Sequence, residues 1–211
     1  MSRSLRLAFL VVVSVLALLG PLTGCAGQVV WLGDPEPPLN PPPAEPLGFT
    51  VAVGVRSYEA TRLEEKGVLD RFAASVRASN LFLSVMYPIP EGFDPEWELQ
   101  LIARDAASEP NSNIWRSALV SFFFPAAFVV DLESEYTFDV QALLVRRHEV
   151  IGTYTSKGHI KYVYQAYANR PQLEQTGVET IVRRTTDSLL AALAADAGRI
   201  AAEDRKRAGM R

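Results

Sequence analysis

The chain has 211 residues, 48% of them apolar and 21% charged, enough for one domain with a real core. It carries 21 basic and 24 acidic side chains, a formal net charge of −3, which argues against nucleic acid as a partner. A single cysteine excludes an internal disulfide.

The amino terminus reads as targeting sequence. Arg3 and Arg6 form a short basic start, and Leu7 to Leu19 follow without a charge until Gly20 and Pro21. Those thirteen residues rise about 20 Å as a helix, against ~30 Å for a bilayer core. A cleaved export signal over residues 1–24 fits better than a permanent span. Without Arg3 and Arg6 the rest of the chain holds 19 basic and 24 acidic side chains, a net charge of −5.

Leu22-Thr23-Gly24-Cys25 comes next and resembles the lipobox of bacterial lipoproteins. The resemblance covers four residues, in the right place after the right apolar run. It implies that the Cys25 thiol is diacylated, that the signal is cut before it, and that the new amine is acylated. Those covalent chains are the only cofactor-like group expected, with no metal. Ala26 stands where an Asp would favour retention in the inner membrane. The family pattern therefore points to the outer membrane, on its periplasmic face. Each buried methylene contributes roughly 0.8 kcal/mol, so two or three chains anchor firmly.

Residues 25–47 read as the lipidated cysteine followed by a linker. Seven of the 14 prolines lie between Pro35 and Pro46. Such a run either extends as a semi-rigid polyproline spacer, reaching up to ~60–70 Å, or serves as a plain tether. The domain is expected over 48–203, with a charged tail at 204–211. Phe49 to Val55 is β-branched and reads as a strand. Thr61-Arg-Leu-Glu64 matches a helix capping box, with Leu69, Phe72 and Val76 on one helical face and Asn80 as the stop. Leu81 to Tyr87 is a second strand, ended by Pro88 and Pro90. Trp97 to Ala103 is a third, in which Trp97, Leu99 and Leu101 alternate with Glu98 and Gln100.

Ser117 to Val130 is uncharged and holds Phe122, Phe123, Phe124 and Pro125, with Trp115 at its edge. It is too short to cross a bilayer. Either it is a helix packed on the sheet, or Trp115, Phe122, Phe123 and Phe124 contact a membrane or a partner protein. Exposed, each Phe forgoes about 1.5–3 kcal/mol, so something must cover them. Tyr136–Val145 and Glu149–Tyr167 pattern as a long hairpin around Arg147-His148. Its turn lacks Asn-Gly, so the loop is longer or His148 is left-handed. Thr176-Gly-Val-Glu179 matches a second capping box, and Val178, Ile181, Val182, Leu189, Ala192 and Leu193 recur at helical spacing.

Chemistry-bearing patterns are weak. Asp131, Glu133 and Glu135 alternate without the spacing of a calcium loop and read as a solvated strand entrance. His148 and His159 lack zinc-ligand spacing, and no Gly-x-Ser-x-Gly elbow occurs. Tyr154, Tyr162, Tyr164 and Tyr167 form a stripe that serves core packing or a peptide- or glycan-binding face. An enzyme is not expected.

The fold class expected is α+β: one mixed or antiparallel sheet with a βαβ start, a long hairpin and a carboxyl-terminal helix on one face. The strand Phe49–Val55, and the helix running into Ala78-Ser-Asn-Leu-Phe-Leu-Ser-Val85, resemble envelope lipoproteins. These are the curli-secretion lipoprotein, the penicillin-binding-protein activators and the amino-terminal domain of TolB. The resemblance implies work through an envelope protein partner and not catalysis. The expected function is a membrane-anchored, non-catalytic accessory or assembly factor of an envelope complex. The alternative is a lipid- or glycan-binding module using the Phe-rich segment and the tyrosines.

Overall fold

The computed structural model describes residues 27–33, 46–110, 112–123 and 130–209. The export signal, Cys25, the proline run 35–45 and Phe124 lie outside the described residues. Six strands form one mixed sheet: β1 (Gly27–Trp31), β2 (Leu47–Glu59), β3 (Phe82–Met86), β4 (Trp97–Ser108), β5 (Asp131–Arg146) and β6 (Glu149–Gln165). Their order across the sheet is β1-β6-β5-β4-β2-β3. The helices are α1 (Glu65–Ala78), α2 (Ser112–Phe122) and α3 (Arg170–Ala208). The class is α+β.

Strand β2 is parallel to both β3 and β4, with α1 as the β2–β3 crossover; the remaining pairs are antiparallel. Alternation sets the layers. Leu99, Leu101 and Ala103 of β4, Tyr136, Phe138 and Val140 of β5, and Ile160, Tyr162 and Tyr164 of β6 share one buried face. Phe72, Ala73 and Val76 of α1 close the core above it, with Ile181, Val182, Leu189 and Leu193 of α3. The opposite face carries ion pairs such as Glu133–Lys161 at 2.8 Å and Asp139–Lys157 at 3.4 Å.

Two glycines let α3 approach β6. A Cβ on Gly158 of β6 would sit 2.3 Å from Ile181 Cγ1, and one on Gly177 of α3 would sit 2.4 Å from the Tyr162 ring. The β5–β6 hairpin turns on Arg147 (φ 45°) and His148 (φ 70°). Both residues take the left-handed conformation that a two-residue primed turn requires.

Four expectations are corrected. The first is the boundary at residue 48. Gly27–Trp31 pairs along β6 from Tyr164 to Ile160, so the sheet begins inside the segment read as linker. Trp31 lies 4.7 Å from the Arg184 guanidinium of α3, and Val29 packs against the core. The second is the Thr61 capping box. Thr61 donates its amide (2.8 Å) and hydroxyl (3.1 Å) to Asp105 on β4, and α1 starts at Glu65 without a side-chain cap. The third is the Thr176 box. The cap of helix α3 lies seven residues earlier, where Asn169 accepts from the Gln172 amide and Pro171 sits in the first turn. Thr176 lies inside the helix and donates to the Gln172 carbonyl. The fourth is the tail: α3 continues through Asp204 to Ala208, and Asp204 pairs with Arg146 at 3.0 Å.

Candidate functional site

The register places several chain ends at one end of the sheet. Gly27, Tyr164 and Leu132 lie in one row across β1, β6 and β5. Strand β4 ends here at Ser108, opposite Glu135, and α3 begins just after β6. Helix α2 joins β4 to β5 at this end.

One side chain docks α2. Asn113 is 6% exposed and is the buried residue of the helix. Its amide donates to the Glu133 carbonyl, and its carbonyl accepts from the Glu133 amide at 3.1 Å. Past Ser108, β4 no longer pairs with β5, and the Asn113 side chain continues the ladder there in place of a backbone peptide. Arg116, one turn on, donates to the Asp131 carbonyl (3.1 Å) and pairs with Glu133 (3.2 Å). Hydrogen bonds from Lys161 first and Arg116 second hold the Glu133 carboxyl below the usual range, against a smaller effect of desolvation.

The outer half of α2 has no cover among the described residues. Trp115 is 80% exposed, Phe122 92% and Phe123 60%; Ile114 and Leu119 are exposed as well. At about 100° per residue, Ile114, Ala118, Phe122, Trp115, Leu119 and Phe123 fall within one half-circle. Asn113, Arg116 and Val120 fall in the other. The reading of Ser117 to Val130 as a helix buried on the sheet is therefore corrected for its described residues 117–123.

The other candidates resolve into structure. Glu133 and Glu135 each have their own partner, Glu135 meeting His159 at 3.2 Å. Asp131 is exposed. His148 is exposed at the hairpin turn, 3.8 Å from Asp94. Among the described residues no group of three His, Cys, Asp or Glu stands close enough to hold a metal. The tyrosine stripe is core. Tyr154, Tyr162 and Tyr164 are buried, and the Tyr154 hydroxyl donates to Asp196 at 2.8 Å. Burial first, and Asp196 second, push the Tyr154 hydroxyl well above its ordinary pKa. Those three rings offer no face to a glycan, which overturns that form of the alternative reading; Tyr167 is exposed.

Sequence reasoning missed Asn113, whose docking role has no periodic signature. It also missed a cleft of about 600 Å³ at the opposite end of the sheet, lined by Phe49, Met86, Phe93, Glu96, Trp97 and Arg146 among others. There Phe49 stacks on Trp97 at 3.9 Å, and the Arg146 guanidinium lies 4.9 Å from the same ring. Arg146 also pairs with Glu96 (3.2 Å) and Asp204 (3.0 Å). Two carboxylates already answer its charge, so the cleft offers aromatic and apolar surface more than a free cation.

No protein-family model and no curated protein sequence matches the chain. Among solved structures it is similar to a DUF330 protein from Xanthomonas campestris, with a TM-score of 0.49 and 11% identity, covering 78% of this chain and 94% of that one. It is similar also to a homologue of the neuraminyllactose-binding hemagglutinin from Helicobacter pylori, with a TM-score of 0.46 and 11% identity over 81% and 94%. A minor lipoprotein from Acinetobacter baumannii gives 0.45 and 9% identity over 70% and 93%.

Proposed function

We propose that this protein is a lipid-anchored accessory or assembly factor of a cell-envelope complex. It is non-catalytic and held on the periplasmic face of the outer membrane. The observation that carries the reading is Leu22-Thr-Gly-Cys25 behind a thirteen-residue apolar run, two residues before the sheet begins at Gly27. A thiol acylated there ties the folded body to a bilayer. Ala26 favours the outer membrane. The ion-paired acidic residues of β5 support a role without catalysis, and an exposed apolar helix supports work through contact.

The test replaces Cys25 with Ser in cells fed an alkyne-bearing palmitate analogue. Wild type is expected to take up the label, lose residues 1–24 and sediment with outer membranes. The variant is expected to stay unlabelled and unprocessed. Normal maturation and unchanged sedimentation of the variant would refute the anchor. Crosslinking from the cleft residue Phe93 should then capture a specific envelope protein, and recovery of none would refute the accessory role.

A further inference from the structure

We infer that the outer face of α2 is a second membrane contact, so that the domain stands on the bilayer end-on and close, and does not swing on a long tether. The inference rests on the reading of Cys25 as the lipid anchor and adds to it a place and an orientation. The acylated residue precedes Gly27 by two positions, so its Cα lies within about 7 Å of the start of β1. Gly27, Tyr164 and Leu132 occupy one row of the sheet, two strand spacings or about 10 Å wide. Helix α2 is fastened to the adjacent positions of β5, Asp131 and Glu133. The lipid and the apolar helix therefore leave the body at the same end.

The chemistry of the face fits a bilayer surface. Ile114, Trp115, Leu119, Phe122 and Phe123 are all exposed, and none is charged. The one cation of the helix, Arg116, is turned to Glu133 and the Asp131 carbonyl. An eleven-residue helix with such a half-circle lies in the interface with its apolar side buried about 5–10 Å. The lipid removes most of the entropic cost of bringing it there, because α2 is already at the surface once Cys25 is inserted. The proline run 35–45 then connects β1 to the far start of β2 and does not separate lipid from domain. The cleft around Trp97 faces away from the bilayer, about 45 Å along β5.

The experiment uses the full lipidated protein in phosphatidylcholine vesicles with and without bromine-labelled acyl chains. Brominated lipid should quench tryptophan emission in wild type, and Trp115→Phe should remove most of that quenching. Trp97, buried at the far end, and Trp31, four residues or about 13 Å up β1 from Gly27 and packed on Arg184, should contribute less. The double variant Phe122→Ser, Phe123→Ser should lower the quenching at least threefold while the protein still floats with vesicles. The mature chain carrying Cys25→Ser should bind the same vesicles weakly and insensitively to salt, and the two serines should weaken that binding at least tenfold. Equal quenching in wild type and Trp115→Phe, with flotation intact, would overturn the inference and leave the anchor standing. Concentration-dependent dimerisation through the same face, without vesicle binding, would also overturn it. Loss of flotation by the lipidated wild type itself would sink the anchor reading, and this inference with it.

Discussion

Asp105 offers the sharpest test of how the loop before α1 is held. Its carboxylate accepts from the Thr61 amide (2.8 Å) and hydroxyl (3.1 Å), the Arg62 amide (2.9 Å) and the Tyr136 hydroxyl (3.0 Å). Tyr136 is 1% exposed, so removing the carboxylate orphans a buried hydroxyl, while Thr61 and Arg62 recover water. The orphan costs about 1–3 kcal/mol and the partly exposed bonds about 0.5–1 each. Asp105→Ala should therefore lose about 3–4 kcal/mol at pH 7. Tyr136→Phe removes donor and demand together and should lose only about 1 kcal/mol. In the Tyr136→Phe background, Asp105→Ala should cost about 2 kcal/mol less than in wild type. Thermal melting reads this directly, at about 2–4 °C per kcal/mol for a chain of this size. Desolvation raises the Asp105 pKa, but the hydrogen bonds from Thr61, Arg62 and Tyr136 outweigh it and leave it lowered. A lowered carboxyl stabilises above its unfolded pKa near 3.9, and that contribution vanishes as pH falls through the folded value. The stability gap between wild type and Asp105→Ala should begin to narrow near pH 4 and keep narrowing until the pH has fallen below the lowered folded value. A melting point within 2 °C of wild type at pH 7, or strict additivity with Tyr136→Phe, would refute the argument.

Gly158→Ala should destabilise by about 1–3 kcal/mol through overpacking against α3, seen as a lower urea midpoint, and should be less costly when combined with Ile181→Ala. Arg147→Asn with His148→Gly should stabilise by about 1 kcal/mol, because both positions hold positive φ; a lower melting point would show that the Arg147–Glu96 pair (3.1 Å) matters more than backbone strain. Loss of labelling in Cys25→Ser and loss of Trp115 quenching in the serine double variant complete the set.

Long elements with strong periodicity were legible in sequence. The β5–β6 hairpin and the core stripe of α3 follow from alternation and from three-and-four spacing. Strand β1 was not, because Gly-Gln-Val-Val-Trp is five residues long and holds its form only through β6 and α3. The sequence pattern covers only Trp97 to Ala103 of β4, because Arg104 to Ser108 lose the apolar alternation while β5 still supplies a ladder. The capping boxes misled for one reason. A Thr with Glu three residues on is common, and here Thr61 bonds to a carboxylate distant in sequence. Asn169 before Arg170-Pro171 was the better start signal for α3. In the candidate site the aromatic residues stood out from composition alone. Their exposure did not, since it depends on Asn113 and Arg116 turning the other side of α2 towards β5.

Strand β1 also decides how the molecule bears force. Its axis runs from Gly27 into the body, antiparallel to β6, and the Leu32 amide adds a bond of 2.8 Å to the His159 carbonyl. With the chain anchored ahead of Gly27, as proposed, drag on the body would load that pairing in shear. All the rungs then resist together, as in a lap joint, where a perpendicular pull would tear them one by one.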